Sequence, residues 1–137
     1  MFKLIKILNT GVNVPEPEQV GCNNALSLDA GTCVVYDESS GKIDLGNQNT
    51  TPTHVLVKAV KKGDSTALCY RITPEMIFEV PVIGDPSSLY VGISVELAIE
   101  ANHGAYAVTD VEDGPAKLYS FSNATKHGDK VLVTFSV

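Results

Sequence analysis

A chain of 137 residues and 14.6 kDa, 44% hydrophobic and 19% charged, has the size of one folded domain and lies far from the low-hydrophobicity, high-charge composition of disordered chains. Its formal charge of −6, from 10 Lys+Arg against 16 Asp+Glu, opposes the counterion release that drives nonspecific binding to nucleic acid. No run approaches the roughly 20 apolar residues of a membrane-spanning helix, and Cys22, Cys33 and Cys69 are an odd count without Cys-x-x-Cys spacing, so neither a disulfide framework nor a paired metal or redox motif is expected.

The start, Met1-Phe2-Lys3-Leu4-Ile5-Lys6-Ile7-Leu8, alternates like a strand. Its apolar run is broken by Lys6 and followed by polar Asn9-Thr10-Gly11, unlike a signal peptide, so synthesis in a host cytoplasm is expected. Residues 10–24 lack a core pattern, and the prolines of Val14-Pro15-Glu16-Pro17-Glu18-Gln19 favour extended backbone without a regular ladder. The segment reads as a surface loop, or else as an arm lying across a neighbouring subunit. The chain therefore divides into an N-terminal strand with its loop or arm, residues 1–25, and an all-β domain, residues 26–137.

From residue 27 onward one grammar repeats: a short β-branched or aromatic run, a Gly- or Pro-marked turn, then another run. Leu28-Asp29-Ala30-Gly31-Thr32-Cys33-Val34-Val35 leads into a hairpin through Glu38-Ser39-Ser40-Gly41, whose residues suit a tight turn. Residues 46–53, uncharged and turn-rich, predict an exposed loop. A second hairpin joins residues 55–60 to 66–72 through Lys61-Lys62-Gly63-Asp64. In the run from His54 to Val60 both faces are partly apolar, as in a barrel, a sandwich or a subunit interface.

Thr73-Pro74-Glu75-Met76 offers at most one helical turn before the β-prone Ile77-Phe78-Glu79-Val80. Residues 95–101 hold good helix formers, yet Val95, Leu97 and Ile99 alternate with Ser94, Glu96 and Ala98, which predicts a strand. Turns are marked by Asn102-His103-Gly104, Asp113-Gly114-Pro115 and His127-Gly128-Asp129. At the C-terminus Val131, Val133, Phe135 and Val137 share one face of a half-buried strand. Strands at intervals of about ten residues predict an all-β fold, a single compact β-barrel or β-sandwich of short antiparallel strands with an extended N-terminal segment.

Chemistry is harder to find. A nucleophile needs a neighbouring base, but His54, His103 and His127 come with no recognisable motif and read as exposed turn or edge residues; nor do they have zinc-site spacing. Cys33 and Cys69 read as small buried hydrophobes, whereas Cys22, beside Gly21, Asn23 and Asn24, reads as the most exposed thiol. Asp110-Val111-Glu112-Asp113 lacks the ligand order of an EF-hand and reads as a solvated acidic turn. Lys61-Lys62 and the scattered Lys3, Lys6, Lys126 and Lys130 read as solvated positions. Asn49-Thr50-Thr51 and Asn123-Ala124-Thr125 match the glycosylation pattern, which has meaning only on a secretory route. No catalytic, cofactor-binding or metal-binding residue is assigned.

Asp29-Ala30-Gly31 is similar to a nucleotide-pocket element of trimeric all-β dUTPases, but the Arg-Ser-Gly phosphate motif and Gly-rich C-terminal arm of that family are missing; the tripeptide reads as a turn leading into a strand. Leu28-Asp29-Ala30-Gly31-Thr32-Cys33-Val34-Val35, the Gly turn after it, residues 52–60 and Val91-Gly92-Ile93-Ser94-Val95-Glu96-Leu97 together resemble small tailed-bacteriophage head decoration proteins. The resemblance covers residues 28–137. It implies a nonenzymatic cement protein on the outer surface of the virion capsid, often a trimer, with the major capsid protein and neighbouring copies of itself as partners, and no cofactor, direct nucleic acid or membrane. The alternative is a β-domain of a phage fibre or baseplate component that binds carbohydrate or another surface ligand, with Tyr36, Tyr70, Tyr90, Tyr106 and Tyr119 as stacking groups. An enzyme ranks third.

Overall fold

The alternating runs from residue 33 onward fold as strands in the computed structural model, which describes residues 1–8, 15–100, 104–120, 124 and 126–136. In chain order the strands are β1 (Lys3–Ile7), β2 (Glu18–Cys22), β3 (Cys33–Asp37), β4 (Lys42–Asp44), β5 (His54–Leu56), β6 (Thr66–Arg71), β7 (Met76–Ile83), β8 (Ser94–Glu100), β9 (Gly104–Glu112), β10 (Ala116–Ser120) and β11 (Lys130–Phe135). A short 3-10 turn, η1 (Pro86–Ser88), is capped by the Asp85 carboxylate, which accepts the Ser87 N–H at 2.9 Å. There is no α-helix among the described residues.

The pairings close twice. One cycle runs β3-β4-β2-β6-β5 and returns to β3. The other runs β7-β11-β10-β8-β9 and returns to β7 through the parallel pairs Val82↔Val108 and Ile83↔Thr109. Cys33↔Ala105, between β3 and β9, joins the cycles. Pairing is antiparallel apart from β2–β4 and β7–β9.

Each cycle has its own core. Val34, Ile43, Leu56, Ala67 and Cys69 fill the smaller one, with Leu28 and Val60 at its end; Phe78, Val95, Val108, Leu118, Val133 and Phe135 fill the larger. Strands β3 and β5 stand between them, because adjacent residues of a strand point to opposite faces. Cys33 and Val55 face the larger core, Val34 and Leu56 the smaller. This is why the run from His54 is apolar on both sides.

Several connections depart from the sequence reading. Strand β5 ends at Leu56, and Val60 instead exchanges both backbone hydrogen bonds with Leu28, at 2.9 and 3.0 Å, sealing the smaller core. The Asp113-Gly114-Pro115 turn does not join adjacent strands; it carries the chain over β8, so that Val95 pairs with Glu112 on one side and Ala116 on the other. A Cβ on Gly114 would overlap the Val95 backbone, which explains the glycine there. In the loop of residues 46–53, Asn47, Gln48 and Asn49 are exposed as expected, but Pro52 is buried and the Gln48 carbonyl accepts the Leu97 N–H at 3.0 Å, fastening the loop to β8.

The N-terminal region also differs. Within residues 10–24, expected as a loop or arm, Glu18–Cys22 forms β2, held between β4 and β6; residues 9–14 lie outside the described residues. Strand β1 pairs with β7 and brings Phe2, 3% exposed, into the larger core. Val131, Val133 and Phe135 share the buried face of β11 as predicted, while Val137 lies outside the described residues.

Candidate functional site

His54 is the first correction: at 3% exposure it is buried, not an exposed edge residue, because β5 has paired strands on both sides. Its Nε2 lies 3.3 Å from Glu18 Oε1 and its Nδ1 2.8 Å from Thr53 Oγ1. The carboxylate only accepts, so Nε2 carries the proton and Nδ1 accepts from the threonine hydroxyl. Thr53 Oγ1 in turn accepts the Tyr36 N–H at 2.7 Å, and Arg71 Nε lies 3.4 Å from Glu18 Oε1. Burial holds the His54 pKa below the ordinary imidazole value, opposed by the Glu18 hydrogen bond and charge. The arrangement contains a hydroxyl, a base and an orienting carboxylate in contact, but the ring is sealed from solvent and the Thr53 oxygen is already held by a backbone N–H. It ties β2, β3, β5 and β6 together, with the imidazole itself buried.

The other predicted groups are dispersed. His127 is exposed in its turn, with Nδ1 accepting the Gly84 N–H at 3.0 Å; His103, with Asn102, lies outside the described residues. Cys33 and Cys69 are buried as expected, and burial pushes the Cys69 thiol up to about 12 and Cys33 well above its ordinary value. Cys22 corrects the sequence reading: it is 2% exposed, since its side chain enters the smaller core although its neighbours are polar.

Asp110, Val111 and Glu112 belong to β9 and are not a turn; only Asp113 turns the chain, with φ +69°. Asp110 Oδ2 accepts the Asp85 N–H at 3.0 Å. No group of three His, Cys, Asp or Glu side chains among the described residues gathers to hold a metal ion. Asn49-Thr50-Thr51 lies on the exposed loop, whereas Asn123 and Thr125 lie outside the described residues.

Among the described strands, β1 is the one paired along a single side, against β7, and every strand in the two cycles has neighbours on both sides. Its other edge borders a groove of about 520 Å³ lined by Ile5, Ile7, Pro15, Val55, Val57 and Tyr70. The Asp29-Ala30-Gly31 turn forms the clasp of this groove. Gly31 donates its N–H to the Leu56 carbonyl at 2.8 Å and accepts the Phe2 N–H at 2.9 Å, so it links β5 to the start of β1. Its φ of +88°, and the 2.9 Å separation a Cβ would have from Met1 Cβ and the Phe2 carbonyl, require glycine.

A β-bulge interrupts β1: Leu4 pairs with Phe78 and Lys6 with Ile77, leaving Ile5 as the extra residue, 44% exposed. Bulges and lysines are common devices for guarding a sheet edge. Reading Lys3 and Lys6 as scattered solvated charges missed their shared strand edge. The signal was the apolar phase, which runs Phe2, Leu4, Ile7 and not Phe2, Leu4, Lys6.

The described residues form an all-β protein of two closed strand cycles, with β1 paired on one side. No protein-family model matches the chain, and a search of curated proteins returns no match. No described helix is long and apolar enough to cross a membrane.

Proposed function

We propose that this chain is a nonenzymatic structural protein that binds the outside of a phage capsid and stabilises it, with the major capsid protein and neighbouring copies of itself as partners. The observation that carries the reading is the open edge of β1 beside its groove. An unpaired strand edge supplies main-chain donors and acceptors for strand addition, and the groove supplies pockets for the added side chains. Each other described strand has a neighbour on both sides, which makes β1 the favoured strand for that mode of attachment. The resemblance of residues 28–137 to head decoration proteins supports the same reading, and repetition over a shell turns weak single contacts into firm retention.

Purified protein is expected to bind empty, expanded heads of its phage, and heads lacking it are expected to fail at lower temperature and in low salt. Heads that ignore the protein and withstand both conditions without it would refute the reading. A specific observation favours the carbohydrate-binding alternative as second: Tyr36, Glu38, Thr53, Arg71 and Ile72 line a cleft of about 290 Å³, which sets an aromatic ring beside polar groups. Binding on a glycan array that disappears with Tyr36→Ala would promote it.

A further inference from the structure

Lys3 and Lys6 are three apart, a spacing that puts side chains on opposite faces of a regular strand. The bulge at Ile5 brings them into phase. Lys3 pairs with Glu79 and Lys6 with Ile77, alternate residues of β7, so both lysines lie on the face away from the larger core, exposed although Ile77 beside them is buried, while Leu4 and Ile7 turn toward that core. On the same face Lys130 lies 3.5 Å from Glu79, and Lys117 of β10 stands opposite Thr134. Across β1, β7, β11 and β10 the outer face therefore carries four of the chain's 10 Lys+Arg against Glu79, in a protein of formal charge −6. Neither Lys3 nor Lys6 makes an ion pair among the described residues.

This charge bears on what sits at the open edge. An antiparallel pairing of β1 with β1 of a second copy would set Lys3 and Lys6 of one chain against those of the other, and like charges directly across a ladder destabilise it. A strand carrying carboxylates meets the opposite condition, because neighbouring strands run about 4.8 Å apart and side chains at alternate positions share a face. We propose that the open edge of β1 receives an extended acidic segment of a partner protein and not a second copy of this chain, with carboxylates at alternate positions beside Lys3 and Lys6. The proposal rests on the reading of the chain as a partner-binding structural protein and names the chemistry of that partner.

The test uses the full chain and two short capped peptides, one alternating Glu and Val, the other alternating Lys and Val, with backbone amide shifts of β1 as the readout. The Glu peptide is expected to shift the β1 amides and to weaken with salt. The Lys peptide is expected to bind more weakly by roughly 2- to 30-fold, the range that two cross-strand charge pairs provide. Lys3→Glu combined with Lys6→Glu is expected to reverse the preference, and Lys3→Gln with Lys6→Gln to abolish it while the amide spectrum of the core stays unchanged.

Equal binding of both peptides, or a preference that survives charge reversal, would overturn the proposal and leave the lysines as edge guards. Dimerisation through β1, or displacement of the Glu peptide by single-stranded DNA, would overturn it in favour of another occupant. If neither peptide binds while the native protein still stabilises heads, the acidic-strand assignment falls and the capsid reading stands. If the Glu peptide binds and heads do not, the reverse holds.

Discussion

Replacing Phe2 by Ala measures whether β1 is part of the folded body or an appendage. The ring is 3% exposed and meets Phe78 at 6.4 Å and Phe135 at 5.7 Å between centroids, closing an aromatic triangle in the larger core. Truncating a buried Phe to Ala costs about 3–5 kcal/mol from lost transfer energy and the cavity left behind. With an unfolding entropy of about 2.1 cal/mol/K per residue, near 290 cal/mol/K for this chain, that loss lowers the melting temperature by roughly 10–17 °C. Urea unfolding followed by circular dichroism gives the free energy directly, and an unchanged m-value shows that the loss is one of stability. Phe2→Leu, which keeps most of the volume, should recover most of the loss. A cost below about 1 kcal/mol would refute the reasoning and make β1 an arm whose undocking caps the effect.

Three further outcomes follow from the same packing. Gly31→Ala should cost at least about 1–2 kcal/mol from its left-handed backbone alone, and a neutral effect on urea unfolding would dissociate the clasp from stability. Because burial lowers the His54 pKa in the folded state, the unfolded chain takes up the proton first. Stability should be full above the unfolded value near 6.5 and fall as pH drops through 6.5 toward the lower folded value. His54→Gln should flatten that slope relative to wild type; parallel pH profiles would remove His54 as its cause. All three thiols should resist a thiol reagent until the protein unfolds, and rapid native labelling of Cys22 would contradict its burial.

The strands that could be read from the sequence are those with a local signature: the alternation of β1; β3 and β4 around a Gly turn; β5 and β6 around another; β7; β8; and the alternation of β11. Strand β2 has none. Glu18 and Gln19 are exposed and only Cys22 is buried, so its strand conformation is imposed by pairing with β6 and β4 on either side. Long-range pairing overrides the weak preference of such a segment. The same cause hid the burial of Cys22 and His54. Cys22 has Gly21 and Asn23 beside it in sequence and His54 stands at the start of its strand, while the groups packed around them arrive from distant strands, as Glu18 does at His54. The candidate edge was half readable, because the broken apolar phase at Ile5 and Lys6 is in the sequence, but the absence of a second neighbour for β1 is a property of topology.

Closure also changes the physical argument for association. A β domain with many exposed edges would need partners to cover them, yet here ten of the eleven described strands have a neighbour on both sides within the chain, so few strand edges are left for a partner to cover. The binding proposed at β1 should then be separable from folding, and it should depend on Phe2 holding the strand in place. Phe2→Ala should weaken partner binding beyond its effect on global stability, because a strand that undocks presents no edge. Lys3→Gln with Lys6→Gln should weaken binding and leave stability within about 0.5 kcal/mol of wild type, as expected for exposed substitutions. Opposite patterns from the two kinds of substitution separate an edge that is built from one that merely remains unpaired.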